Sequence, residues 1–158
     1  MKHFLEILRT NKKVLMLSSL VLLFLISFIA FLINYRGAKY SFRYMLSGTD
    51  KIVFETRTIA KVKNTSKIKL YVDELLLGPS VQRAKPLFPL NTKVLFCFED
   101  DNELFLNLSE EAILNFSPDT DLTESYRLIE LNVLKNFSSI KKINVFIEGN
   151  PVYTSGKN

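Results

Sequence analysis

Val14–Ile33 reads VLMLSSLVLLFLISFIAFLI, an uninterrupted run of 20 residues without a charge, a proline or a glycine. No other stretch constrains the chain as strongly. At 1.5 Å per residue a helix of this length reaches about 30 Å, the thickness of a bilayer core. Only Ser18, Ser19 and Ser27 interrupt the hydrocarbon, and a serine hydroxyl can bond back to its own helix backbone. A buried core helix would show a polar stripe, which is missing here. A signal peptide would carry a shorter apolar region followed by a small-residue cleavage site. Asn34–Tyr35–Arg36 is a poor site of that kind, and no cysteine follows the run to take a lipid. The run is therefore read as one transmembrane helix, residues 14–33, in contact with membrane lipid.

The flanking charges suggest an orientation. Residues 1–13, a mildly amphipathic basic tail, contain Lys2, Arg9, Lys12 and Lys13; Arg36, Lys39 and Arg43 lie on the other side. The basic bias favours the N-terminus inside. The expected arrangement is a single-pass protein of the cytoplasmic membrane: a cytoplasmic tail over 1–13, the span, a linker over 34–39 and an extracytoplasmic domain over 40–158.

The net charge of +5 invites a nucleic-acid reading, but its distribution argues otherwise. Residues 1–36 hold five basic groups and one acidic, whereas residues 37–158 hold 16 basic against 15 acidic. The domain has no charge excess with which to neutralise phosphates, so no nucleic-acid partner is expected. Its 122 residues can bury one core. Cys97 is the only cysteine, so no internal disulfide can support that core, and a buried inert thiol is expected in the apolar run Val94–Phe98.

Along the domain, Tyr40, Phe42, Tyr44 and Leu46 alternate with Ser41, Arg43 and Ser47, which is a strand period. Gly48–Asp50 supplies turn chemistry, and Ile52–Val62 reads as the second strand of a hairpin. Asn64–Ser66 offers helix caps ahead of Ile68, Val72, Leu75 and Leu76, spaced as an amphipathic helix that Gly78–Pro79 ends. Ser80–Thr92 reads as irregular. Val94–Phe98 and Leu104–Leu108 form a second strand pair, with Val94, Phe96 and Phe98 expected on one face and Glu99–Glu103 at the tip. A short helical start at Ser109–Glu111 and a loop over Phe116–Asp121 precede the next helix. That helix carries Leu122, Tyr126, Ile129, Val133 and Phe137, with Asp121 as its cap. Ile143, Val145 and Ile147 mark a strand, Gly149–Asn150 turns, and Pro151–Tyr153 is a last extended piece. The order predicts an α+β fold, a two-layer β-β-α-β-β-α-β domain with two helices on one face of a sheet.

The residues offer little chemistry. Glu99, Asp100, Asp101 and Glu103 are the one charge cluster that could attract a hard cation, but the calcium-loop spacing with its central glycine is absent. Solvated carboxylates at a hairpin tip are the ordinary reading. His3, the only histidine, precedes the span, so the domain has none to activate a serine or cysteine. There is no phosphate-cradling glycine loop and no metal-ligand spacing. Arg57 and Asp73 read as ordinary ion-pair members, and the many aromatics as core. Three Asn-x-Ser/Thr triplets, at Asn64, Asn107 and Asn136, are taken as chance matches. No catalytic, cofactor-binding or metal residue is nominated, no cofactor is implied, and no enzyme is expected.

From Tyr40 onward the chain resembles the GerMN domain family, a module of the bacterial envelope and of spore germination. The resemblance rests on Phe54–Ile59 (FETRTI) with Arg57, on Asp73–Ser80 (DELLLGPS), on Pro89 with Thr92–Leu95, and on Leu104–Ser109 followed by Ile143–Val152 (INVFIEGNPV). Leu90–Asn91 stand where the family often has glycine. The resemblance implies a small extracytoplasmic α+β module that binds or assembles rather than catalyses. Envelope proteins or further copies would be its partners, with the domain as a ring or complex subunit, and strand edges such as Tyr40–Leu46 could pair with a neighbour. The alternative function is binding of a ligand or cell-wall glycan: exposed aromatics beside a groove would favour it, a flat apolar patch protein contact.

Overall fold

The computed structural model describes residues 12–34, 37–114 and 121–156. Most of the basic tail, part of the linker and most of the Phe116–Asp121 loop lie outside the described residues. The chain divides into two compact units, residues 1–36 and 37–158.

The first unit contains α1 (Lys12–Asn34). Its window Lys12–Leu32 has a mean hydropathy of 2.8 and none of it is buried by protein. A helix this apolar on all sides is long enough to cross a membrane. The hydroxyls of Ser18 and Ser19 donate to the carbonyls of Leu15 and Met16, so neither presents an unmet polar group.

The second unit begins with β1 (Ala38–Leu46) and β2 (Ile52–Ile59), an antiparallel hairpin. Gly37 runs so close to the chain that a Cβ there would stand 2.6 Å from the Ile59 carbonyl oxygen, and only glycine fits. α2 (Lys67–Leu76) starts at Ser66, whose side chain accepts the Lys69 amide proton, and stops as Gly78 takes φ +86°. Then follow β3 (Ala84–Lys85), β4 (Val94–Asp100), β5 (Glu103–Leu108), a single turn α3 (Glu111–Leu114), α4 (Leu122–Asn136) capped by Asp121, β6 (Lys142–Ile147) and β7 (Asn150–Gly156). The α+β class and the helix positions are as the sequence predicts.

Three details differ. The strands form two sheets, β2-β1-β3 and β4-β5-β6-β7, rather than one. The two-residue strand β3, inside a segment read as irregular, pairs with Met45 and Leu46 and makes β1 a middle strand. With Asn132 and Asn136 of α4 bonded to the Arg43 and Ser41 backbone beside it, the Tyr40–Leu46 edge is not free for a neighbour. Finally, a bulge between Val94 and Phe96 puts these residues on opposite faces of β4, where strict alternation predicts one.

α2 packs against β2 and β4, and α4 against β1 and β7. One core joins them: Phe42 and Tyr44 of β1, Tyr71, Val72 and Leu75 of α2, Ile129 and Val133 of α4, and Leu104, Leu106, Leu108, Ile143 and Val145 of the second sheet. Burying a side chain of this kind contributes about 1.5–3 kcal/mol, which lets the domain stand without a disulfide. Cys97 faces this core, and burial pushes its thiol pKa up to about 12, as suits an unreactive thiol.

Candidate interaction face

The four-stranded sheet has one face in the core and one that no helix or strand among the described residues of the domain covers. Cross-strand register lays the second face out in rows. Phe96, Asn107 and Phe146 form one row; Phe98, Phe105, Asn144 and Thr154 the next; Asp100, Glu103 and Lys142 the last. The residues between them, Leu104, Leu106, Ile143 and Val145, point into the core.

Four phenylalanines thus stand together on the outside. Phe98 stacks on Phe105, with centroids 5.1 Å apart and planes 9° apart. Phe96 lies 5.7 Å from Phe98 and 6.3 Å from Phe146, and Phe105 lies 6.5 Å from Phe146. Phe98 keeps 51% of its surface exposed and Phe96 39%. Phenylalanine carries no polar tip that would justify such exposure, and Phe105 and Phe146 beside them are half-buried, so the rings form one apolar patch.

Polar groups border the rings. Glu103 accepts from Asn144 at 2.7 Å and from Lys142 at 3.0 Å, and these bonds hold its carboxyl below the usual range. Asn144 also accepts from the Thr154 hydroxyl. Asn107, nearly buried between Phe96 and Phe146, accepts the Gly149 amide proton. At the tip, Asp101 and Asn102 both take positive φ, the conformation of a tight hairpin turn. Glu99, Asp100 and Asp101 are exposed there. No three His, Cys, Asp or Glu side chains among the described residues come together to hold a metal ion. What the sequence suggests about aromatics as core holds for Phe42, Tyr44 and Tyr71 and fails for Phe96 and Phe98. A signal was available: Val94–Phe98 is apolar at five successive positions, so one face of that strand had to leave the core.

Arg57, set aside as an ordinary ion-pair member, joins three elements. It donates to Glu55 at 2.9 Å, to Glu74 of α2 at 3.0 Å and to the Gly78 carbonyl at 2.6 Å, while lying over Phe42 and Tyr44. Glu55 in turn accepts the Ser80 amide proton at 2.9 Å. Burial would raise the Glu55 pKa, but the Ser80 and Arg57 bonds outweigh it and hold the carboxyl below its ordinary value. Two sequence features, FETRTI and LLLGPS, are thus one assembly: the arginine ties the helix stop to the sheet. Asp73 makes an exposed pair with Lys69 four residues earlier.

The Germane family model, described as sporulation and spore germination, matches residues 43–153. That is well over half of the chain, and it runs from within β1 to within β7. The chain belongs to the Germane family. Two solved structures of GerMN domains agree on the fold. The first GerMN domain of the sporulation protein GerM from Bacillus subtilis has a TM-score of 0.59 at 19% identity, covering 73% of this chain and 86% of that one. The tandem GerMN domains of the same protein give 0.56 at 15% identity, over 78% of this chain and 45% of that one. A candidate lipoprotein from Clostridium perfringens gives 0.49 at 25% identity, over 77% and 88%. No curated protein sequence matches significantly. The Germane domain here follows a helix apolar enough for a membrane, and it carries the phenylalanine face on its four-stranded sheet.

Proposed function

We propose that this chain is a single-pass membrane protein whose extracytoplasmic Germane domain is a non-catalytic module for protein contact in the bacterial envelope. The observation that carries this reading is the outer face of the β4–β7 sheet, where Phe96, Phe98, Phe105 and Phe146 lie side by side with no helix or strand among the described residues of the domain over them. A flat aromatic face buries well against another protein. A glycan would call for Trp or Tyr with a hydrogen-bonding tip beside a groove, and the four rings have no such tip. The partner is an envelope protein or a further copy of the chain, as part of a larger assembly. The short basic N-terminal flank supports an inside N-terminus and an outside domain.

The test places a photo-reactive phenylalanine analogue at Phe98 or Phe146 of the full chain in intact membranes, with Thr56 on the other sheet as control. Discrete adducts at positions 98 and 146, absent at 56, support the reading, and their masses distinguish self-contact from another protein. Monomer alone at every position would count decisively against it.

A further inference from the structure

The loop joining β2 to α2 is the most basic stretch of the domain. No acidic residue occurs from Thr56 to Val72. Two cations of the stretch are already engaged, Arg57 with Glu55 and Glu74, and Lys69 with Asp73. Lys61, Lys63 and Lys67 are exposed and make no ion pair among the described residues. Val62, between the first two, keeps 52% of its surface exposed.

The register locates this loop. Ala38, the first residue of β1, pairs with Ile59, the last of β2, and Lys39 pairs with Thr58. The loop therefore leaves the sheet at the end where the chain enters the domain. The β1–β2 turn, Ser47–Asp50, lies at the opposite end. Only residues 35–37 separate Asn34, the last helical residue, from Ala38. Whatever path they take, four Cα steps of 3.8 Å cannot exceed about 15 Å. The sheet end that bears Lys39 and this loop is thereby tethered within a few Debye lengths, of about 8 Å each, of the end of the helix.

We propose that Lys39, Lys61 and Lys63, with Val62 between them, form a docking surface for anionic phospholipid headgroups of the same bilayer that holds α1. The inference rests on the reading of α1 as a span. An ammonium group is a compact donor suited to phosphate oxygens, and a small apolar side chain among lysines suits the headgroup boundary. Lys67 is the outer member of the set, since it shares a shallow recess with Glu99. The phenylalanine face is the poorer lipid surface: its last row carries Asp100 beside the Glu103–Lys142 ion pair and so offers an anionic bilayer no free cation.

The experiment uses the full chain with Cys97→Ser and a fluorophore on Ala60→Cys, or on Thr49→Cys at the far turn. It is reconstituted in liposomes of phosphatidylcholine alone or with phosphatidylglycerol, each with a trace of headgroup-nitroxide lipid. Quenching at position 60 rises at least about twofold when phosphatidylglycerol is present, while position 49 does not respond. High salt, or Lys61→Glu with Lys63→Glu, removes the rise. Equal quenching in both lipids, a rise that survives charge reversal, or an equal rise at position 49 overturns the docking. Carbonate-resistant flotation with phosphatidylcholine liposomes reads the span separately. A chain that fails to float overturns the span and the docking with it; one that floats without headgroup dependence overturns the docking alone.

Discussion

Asn132 of α4 pairs with the backbone of Arg43 in β1 as a neighbouring strand would. Its Oδ1 accepts the Arg43 amide proton at 2.8 Å and its Nδ2 donates to the Arg43 carbonyl at 2.9 Å. Asn136 repeats the arrangement at Ser41, at 3.0 and 2.7 Å. Four residues of helix rise about 6 Å, and two residues of strand about 6.7 Å. Side-chain amides at i and i+4 on a helix can therefore meet alternate peptides on a strand. Below the short β3 contact, α4 takes the place of a strand on that side of β1 and so joins the two sheets. The Tyr71 hydroxyl completes the network, donating to Asn132 Oδ1 and accepting from Asn136 Nδ2.

Asn132→Ala should therefore cost far more than the loss of one side chain. Asn132 is fully buried, and its removal leaves an amide and a carbonyl of Arg43 without partners, each worth about 1–3 kcal/mol when stranded. We expect a loss of about 3 kcal/mol in denaturant unfolding of the full chain in micelles. Asn132→Asp should be nearly as damaging, because it keeps the acceptor for Arg43 N–H and loses the donor to the Arg43 and Leu128 carbonyls. A loss below about 0.5 kcal/mol for the alanine variant would mean that water replaces the amide and that the strand mimicry is incidental.

Arg57→Lys tests whether the arginine acts through its fork or its charge. The guanidinium reaches Glu55, Glu74 and the Gly78 carbonyl at once, which a single ammonium cannot do. The expected result is a loss of about 2 kcal/mol, since the Gly78 carbonyl or one carboxylate loses its donor. Amide exchange should quicken first at Gly78–Ser80, the segment tied to the sheet through Glu55. Unchanged exchange there would show that the helix stop is held by Gly78 and Pro79 alone.

The elements were legible where a local pattern decided them. Ser66, Gly78 and Asp121 mark their helix ends by cap chemistry, and Ile143, Val145 and Ile147 mark a strand by period. Partnership was not legible. Asn132 and Asn136 read as polar residues on a helix, and nothing local shows that they complete β1. The bulge at Leu95 reverses the face of everything before it, so counting alternate residues from Val94 put Phe96 and Phe98 in the wrong place. The outer phenylalanine face was hidden for that reason, because hydrophobicity alone does not distinguish a core phenylalanine from an exposed one. Arg57 with the Gly78–Pro79 stop was legible through the family resemblance, though its physical link, the bond to the Gly78 carbonyl, needed three dimensions.

The Glu55 carboxylate sets an acid limit on stability. Its folded pKa lies below the ordinary carboxylate value despite the opposing effect of burial. Such a group contributes stability that is fully present above the unfolded carboxylate pKa of about 4.3 and is lost as pH falls through the lower folded value. Stability should therefore drop below about pH 4.5 in wild type. Glu55→Gln should be less stable at neutral pH and show a shallower decline over that acid range. Parallel curves for the two proteins in an acid titration of the unfolding midpoint would assign the acid limit to another carboxylate.

Phe98→Ser distinguishes a contact face from a core. Phe98 is half exposed, and its main intramolecular gain is the stack on Phe105. Offset stacks add about 0.5–1.5 kcal/mol, so the substitution should cost about 1 kcal/mol in unfolding. Leu106→Ala, on the fully buried side of the adjacent strand, should cost about 2–5 kcal/mol because it opens a cavity. The two variants should diverge in the opposite sense in membranes: Phe98→Ser loses the photo-adducts formed from position 146, while Leu106→Ala keeps them as long as it stays folded. If the two substitutions destabilise the domain equally, the rings on the outer face belong to the packing of this domain and not to the surface it offers a partner.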